Sequence, residues 1–477
     1  MTFPVMDRTM RSLSLTLGLL LSGVMAVGGS EPSASTPSRP PASAEAAGFV
    51  TVAGRQFLDG EGKRIILHGI NVVQKSKAEG YVGKLSAADF ATIRGWGMNC
   101  VRLGIFWDGL EPEPGRIDEA YLERIARLVG WAREQGLFVL LDMHQDLYSV
   151  KFSDGAPPWA TLDENKPHTV GAVWSDAYYV SEAVQTAFDH FWANSPASDG
   201  VGLQDHYARV WRRVAERFKD DPAVVGFDLM NEPFPGRDAG KVQLALMARL
   251  AEQLGRRPGG PTLTVEQLAG MEGTPEGRKQ ITQWLADLKL YQGMLEAGFP
   301  IMQQFDRAQL QPFYARVRQA IREVDARHII FFEPAMSANL GILSALVPLT
   351  DNQGKRDPQQ AYAPHGYDIV VDTSSIELTS RERVALIFQR HGEFSRRHQL
   401  PVLVGEWGAY YLDAKAAEAA RFVVQQFETL ECGDTYWSYQ PGLAESPLLA
   451  ALRRSPGRAR KRRRAPFQSF VAPSRLG

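Results

Sequence analysis

Eight short runs of apolar and β-branched residues, each followed by a stretch with helical spacing, recur along the chain from residue 48 onward. They occupy residues 65–70, 98–103, 137–143, 224–230, 328–332, 362–367, 401–405 and 435–439. Amphipathic segments lie between them, at 119–135, 203–219, 310–325, 381–396 and 415–430. A strand followed by a helix reaches a parallel neighbour by a crossover, so the alternation predicts βαβ units. Eight such units predict an α/β fold closed into a (β/α)8 barrel. The runs are almost continuously apolar, as strands covered on both faces are. Two connections are long, 145–202 after the third strand and 233–309 after the fourth, and both emerge at the C-terminal face, where barrel enzymes carry their sites. Within 233–309, LALMARLAEQL and ITQWLADLKLYQGMLEAGF have helical apolar spacing. Burial of these stripes against each other is the first expectation, and an apolar surface for lipid chains or a membrane the second.

The flanks differ from this body. Arg8 and Arg11 precede a short apolar run, 13–27, with small residues near Ala26, so residues 1–28 are expected to be a signal peptide and the protein to be secreted or periplasmic. Residues 29–47 (GSEPSASTPSRPPASAEAA) are too poor in apolar side chains to order themselves and read as a linker. The catalytic domain is expected over 48–445 and a basic, disordered or frameshifted tail over 446–477. Eight basic residues and no acidic one fall in 453–464, while the whole chain has a formal charge of -1. That balance gives no argument for nucleic acid as a partner. Cys100 and Cys432 sit in strand-like settings and are expected to be free, buried thiols. No Cys/His spacing suggests zinc, so neither metal nor cofactor is expected.

Cleaving a glycosidic bond with retention takes two carboxyl groups, one to protonate the leaving oxygen and one to attack the anomeric carbon. VVGFDLMNEP sets Asn231 and Glu232 just past the fourth run, and VLVGEWGAY sets Glu406 just past the seventh. Glu232 is therefore the candidate acid/base and Glu406 the candidate nucleophile, with Asn231 donating to the sugar 2-hydroxyl. Glu333, at the end of the fifth run, also faces the site and can bind sugar or steady a neighbour. Asp142 is a candidate for orienting His144 or Arg102. Trp107, Trp159, Trp174 and Trp192 lie on or near the same face, and either sugar stacking or core packing suits each. His68 reads as a core histidine.

The NEP and GEWG contexts, in this order on the fourth and seventh strands, resemble glycoside hydrolase family 5, the retaining cellulase family, over about residues 55–440. The resemblance implies that Arg102 supports the nucleophile and that His365 and Tyr367 stand beside it. It implies further that His144 lines the site and that Trp437 stacks under the sugar. LHGINVVQKS, RLGIFWDGLEPEPGRID, LLDMHQDLYS, DGAPPWA and FDLMNEPFPG resemble more narrowly the endoglycoceramidase subgroup. That subgroup cleaves the β-linkage between an intact oligosaccharide and ceramide, and Lys75 and Asp146 match the residues that hold its ceramide-proximal glucose. The implied partner is a glycosphingolipid, met at a membrane or micelle surface by a monomer. Alternatives are another family 5 β-glycosidase, such as an endoglucanase or endogalactosylceramidase, and a non-catalytic glycolipid-binding relic. The subgroup usually carries a β-sandwich after the barrel, which residues 446–477 show no alternating pattern to supply.

Overall fold

The computed structural model describes residues 48–454 apart from 372, 374 and 411. The expected signal peptide, the linker and residues 455–477 lie outside the described residues. A small antiparallel sheet comes first, from β1 (Thr51–Ala53), β2 (Gln56–Leu58) and β3 (Arg64–Ile65). Eight parallel strands follow: β4 (His68–Val72), β5 (Cys100–Ile105), β6 (Phe138–Met143), β7 (Val224–Asp228), β8 (Ile329–Phe332), β9 (Gln360–Tyr362), β10 (Leu403–Val404) and β11 (Gly433–Tyr436). Each pairs with the next in chain order, and β11 pairs back with β4. Between β9 and β10 the closure rests on single bridges, Tyr362 with Val402 and Gly366 with Trp407. The result is the expected (β/α)8 barrel.

Side chains alternate across each strand, which sets the barrel interior in layers. Cys100, Leu140, Val225, Ile329 and Leu403 form an apolar layer at the N-terminal ends, together with Leu67 just before β4. The small sheet covers that end, and Phe57 stacks on Phe331 at 5.9 Å. Two residues on from Cys100 and Leu140 the inward positions turn polar, to Arg102 and Asp142, and Asn71 of β4 and Asp228 of β7 join them. Gly69 and Gly226 permit close approach between strands: a Cβ would lie 1.9 Å from the Cys100 and the Ile329 carbonyl oxygen respectively, and Gly226 sits beside a shift of register between β6 and β7.

Three expectations differ from the structure. The sixth run, 362–367, meets its strand only at Tyr362, since β9 is Gln360–Tyr362. The first run spans two elements, since Arg64–Ile65 belongs to the small sheet and the barrel strand begins at His68. The domain does not end at 445 either. Residues Pro447–Leu452 form a helix, with Ser446 capping its first turn and Pro447 at a position that needs no N–H. It buries Leu448, Leu449 and Leu452 against the Ala417–Leu430 helix. Beyond it Arg454 binds Asp434 and donates to the Cys432 carbonyl at 2.8 Å. An apolar PLLAAL needs only a neighbouring helix to order it, not a strand pattern. The two cysteines are free and buried, as expected.

The insertion 233–309 is helical. The Asp238–Gly255 helix buries Val242, Leu250 and Leu254, and the Leu288–Glu296 helix packed on it buries Leu290, Tyr291 and Leu295. Mutual burial accounts for most of the two stripes, while Leu244 stays exposed.

Candidate active site

Arg102 organises the centre of the barrel. It is fully buried and reaches residues of five other strand segments. Its Nε donates to Asp228 at 2.9 Å, and Nη1 donates to Asn71 at 3.1 Å and to Glu406 Oε1 at 2.7 Å. Nη2 donates to Asn231 Oδ1 at 3.0 Å and Glu333 Oε1 at 2.8 Å, and lies 2.9 Å from Asp142. Charge-assisted bonds of this kind offset the large cost of burying the cation and its carboxylates. Burial alone would lower the arginine's affinity for its proton, but the carboxylates of Asp142, Asp228, Glu406 and Glu333 hold it charged.

Glu406 follows β10 directly and has donors on both oxygens. Besides Arg102 on Oε1, the Tyr367 hydroxyl donates to Oε2 at 2.9 Å. Glu232 lies past β7 and takes φ = 45°, a region seldom occupied without glycine. Its neighbours hold it there. Gln145 Nε2 donates to the carbonyls of Asn231 and Glu232, at 2.9 and 3.2 Å, and Glu232 N donates to Glu333 Oε2 at 2.9 Å. Glu232 Oε1 accepts from His365 Nδ1 at 2.9 Å and from Asn339 Nδ2 at 2.6 Å. His365 also has Glu333 Oε1 3.2 Å from Nε2. Burial opposes charge on this imidazole, yet the carboxylates around it, Glu333 and Glu406 foremost, raise its pKa well above the usual histidine range.

A carboxyl oxygen of Glu232 and one of Glu406 lie within 4.8 Å of each other, with His365 between them. Two buried carboxylates this close favour holding one proton between them. Burial raises Glu406 above the ordinary glutamate range against the pull of His365 and Arg102. Burial acts on Glu232 too, but the His365 and Asn339 bonds hold it below that range. Taken singly, those directions would leave the shared proton on Glu406. The donor geometry favours Glu232. Both Glu406 oxygens already accept from donors, one of them a guanidinium that cannot exchange roles. On Glu232 both donors fall on Oε1, and among the described residues none reaches Oε2.

The sugar-facing wall is built from the third and eighth strand ends. His144 Nδ1 pairs with Asp142 at 2.8 Å, while its buried Nε2 has no partner among the described residues. Its ring stacks on Trp437 at 5.4 Å. Lys75 Nζ pairs with Asp146, lies 3.6 Å from Asp154 and sits 5.1 Å from the Trp437 ring centroid. Asp154, in the DGAPPWA motif, has no role in the sequence reading. Here its Oδ1 accepts from Asp146 N at 2.9 Å, and burial with the neighbouring Asp146 charge raises its pKa to about 6. The acid-rich groups His144/Asp146/Asp154 and Asp142/Asp228/Glu333 could in principle hold a metal. Both already hold a cation of the chain's own, Lys75 and Arg102.

All ten sequence-predicted residues therefore converge: Glu232, Glu406, Lys75, His144, Asp146, Asn231, Tyr367, Trp437, Arg102 and His365. Asp142 binds both His144 and Arg102, and Glu333 steadies Arg102 and Glu232. Of the four uncertain tryptophans, Trp107 and Trp192 are buried, and Trp159 donates to the Glu111 carbonyl at 3.0 Å, so these three pack the loops. Trp174 is 42% exposed, with its ring centroid 6.0 Å from Lys75 Nζ. His68 pairs with Asp434 at 3.0 Å and is structural.

Residues 58–442 match the family model described as Cellulase (glycosyl hydrolase family 5). The chain belongs to glycosyl hydrolase family 5. Among curated relatives, an endoglycoceramidase of Cyanea nozakii is 35% identical over 211 residues, covering 38% of this chain and 41% of that protein. Endoglycoceramidase I of Rhodococcus hoagii is 35% identical over 190 residues, covering 38% of this chain and 36% of its own length. The chain thus spans less than half the length of these curated relatives. Among solved structures, endo-glycoceramidase II from Rhodococcus sp. superposes with a TM-score of 0.62 at 27% identity, over 82% of this chain and 79% of that one.

Proposed function

We propose that this chain is a retaining endo-acting glycosidase that cleaves the β-linkage between oligosaccharide and ceramide in glycosphingolipids. The observation that carries the reading is the spacing of Glu232 and Glu406, within 4.8 Å by their nearest oxygens. Retaining enzymes hold the two carboxyl groups about 5 Å apart, whereas inverting enzymes need about 6.5–9.5 Å to admit a water. Glu406, ionised and aimed by Arg102 and Tyr367, attacks the anomeric carbon. Glu232 gives its proton to the ceramide oxygen as the glycosidic bond breaks. The same carboxylate then takes a proton from water as that water displaces Glu406, which restores both groups. His144 Nε2, Lys75 and Asp146 meet the sugar hydroxyls, Trp437 stacks on the ring, and Asn231 donates to the 2-hydroxyl.

The glycolipid assignment is supported by the Lys75–Asp146 pair and by the names of the relatives. The exposed apolar side chains of Trp174, Val180 and Leu244, on the two insertions, are the surface we assign to ceramide or a membrane. Export by residues 1–28 and action as a monomer belong to the same proposal. Hydrolysis of a ganglioside and lactosylceramide beside galactosylceramide and carboxymethyl-cellulose tests it. Intact oligosaccharide and free ceramide should appear. Glu232→Gln should lower the rate by about 10^2–10^4-fold, and Glu406→Gln by at least as much. Leu244→Ser should slow the glycolipid but not a soluble aryl glycoside. Turnover of the glucan alone would move the substrate to cellulose-like polymers, and turnover of galactosylceramide alone to monoglycosylceramides.

A further inference from the structure

Asn339 lies on the turn Met336–Leu340 that follows β8, in no motif that marks it from sequence. It is buried, and its amide donates to Glu232 Oε1 at 2.6 Å. Its carbonyl accepts from Tyr367 N at 3.1 Å. One residue therefore touches the candidate acid/base through its side chain and, through its backbone, the segment whose tyrosine holds the candidate nucleophile. The turn is anchored at both ends. Met336 N donates to the Pro233 carbonyl at 3.0 Å, the Tyr291 hydroxyl to the Leu340 carbonyl at 2.7 Å, and Ser344 Oγ and Ala345 N to buried Asp306, both at 2.7 Å. An amide held on so fixed a frame is an aimed donor rather than a side chain that happens to be near.

We propose that Asn339 is a positioning residue for Glu232: with His365 it occupies Oε1 and so assigns to Oε2 the proton that the leaving group receives. Both donors are on Oε1, and a proton placed there would set an O–H against an N–H that is already donating. Proton transfer needs one oxygen in reach of the glycosidic oxygen, and this arrangement selects which one. The inference rests on the acid/base reading of Glu232.

Loss of the amide removes a donor to the ionised carboxylate, which raises the pKa of Glu232. The other groups facing this carboxyl, His365, Glu406, Glu333 and His144, are unchanged. In Asn339→Ala the basic limb of kcat/KM should therefore move up by about one pH unit, with the acidic limb in place. Cleavage of a ganglioside, whose leaving group needs the proton, should fall by roughly tenfold or more, and cleavage of a dinitrophenyl glycoside, whose leaving group does not, by less than about threefold. Asn339→Asp, of nearly equal volume, sets a second carboxyl against Glu232 and should move the basic limb further up. It carries the test if the alanine variant does not fold. An unmoved basic limb, or equal losses on both substrates, overturns the proposal. Azide should restore turnover of the dinitrophenyl glycoside by Glu232→Ala with a β-glycosyl azide as product. If it does not, the acid/base reading has failed, whatever Asn339 does.

Discussion

Lys75 meets both Asp146 and Asp154 beside Trp437, so its ammonium is fixed before a sugar arrives. Burial works against its charge, but the two aspartates hold it ionised. A hydrogen bond to a charged group contributes about 1.5–3 kcal/mol. Lys75→Met should therefore lower kcat/KM on lactosylceramide by roughly ten- to a hundredfold, and an unchanged kcat/KM would exclude Lys75 from sugar binding. At this scale the sequence was legible where chemistry and strand position coincide. Glu232, Glu406, Arg102 and His144 each terminate or lie in an apolar run, and the period of two then aims them inward. Asn339 and Asp154 were not, for opposite reasons. Asn339 sits on a short turn whose position is set by distant contacts with Tyr291 and Asp306. Asp154 stands in plain view within DGAPPWA, but only the fold brings it to Lys75.

Among the elements, the strands were read closely and the ends poorly. The run at 65–70 has one apolar character but two partners, β2 below and the barrel beside it, and no local signal separates them. The helix Pro447–Leu452 was hidden by the basic residues after it, although Arg454 among these reaches back to Asp434. Burial pushes the Asp434 carboxyl up, but Arg454 and His68 outweigh burial and bring it down to about 2. Its folded pKa is thus below its ordinary value of 3.8. The stability it contributes is present above pH 3.8 and lost as pH falls toward 2, roughly 2 kcal/mol over that window. Asp434→Asn should abolish that part of the acid dependence. At neutral pH it should destabilise by about 3 kcal/mol or more, because Arg454 is left buried without its partner. Urea unfolding of both proteins between pH 2 and 7 measures this, and equal midpoints throughout would show that the Arg454 contact does not hold the C-terminal helix to the barrel.

For the molecule as a whole, the barrel explains why residues more than 300 positions apart act together, as Arg102 and Glu406 do. The apolar layer at the N-terminal ends carries the closed sheet, and the polar layer above it forms one bonded unit linking the first five strands and the seventh. The insertions 145–202 and 233–309 add Asp146, Asp154 and the exposed side chains of Trp174, Val180 and Leu244 without supplying either glutamate. Retention through a covalent bond to Glu406 is the central claim of the proposed function. A 2-deoxy-2-fluoro-β-lactosyl donor with a dinitrophenolate leaving group tests it most directly, followed by peptide mapping of the intact protein's mass increase. One fluorolactosyl group per chain is expected, on Glu406, formed by the wild type and absent from Glu406→Gln. Label on another residue, or steady turnover of the donor with no mass increase, would contradict it.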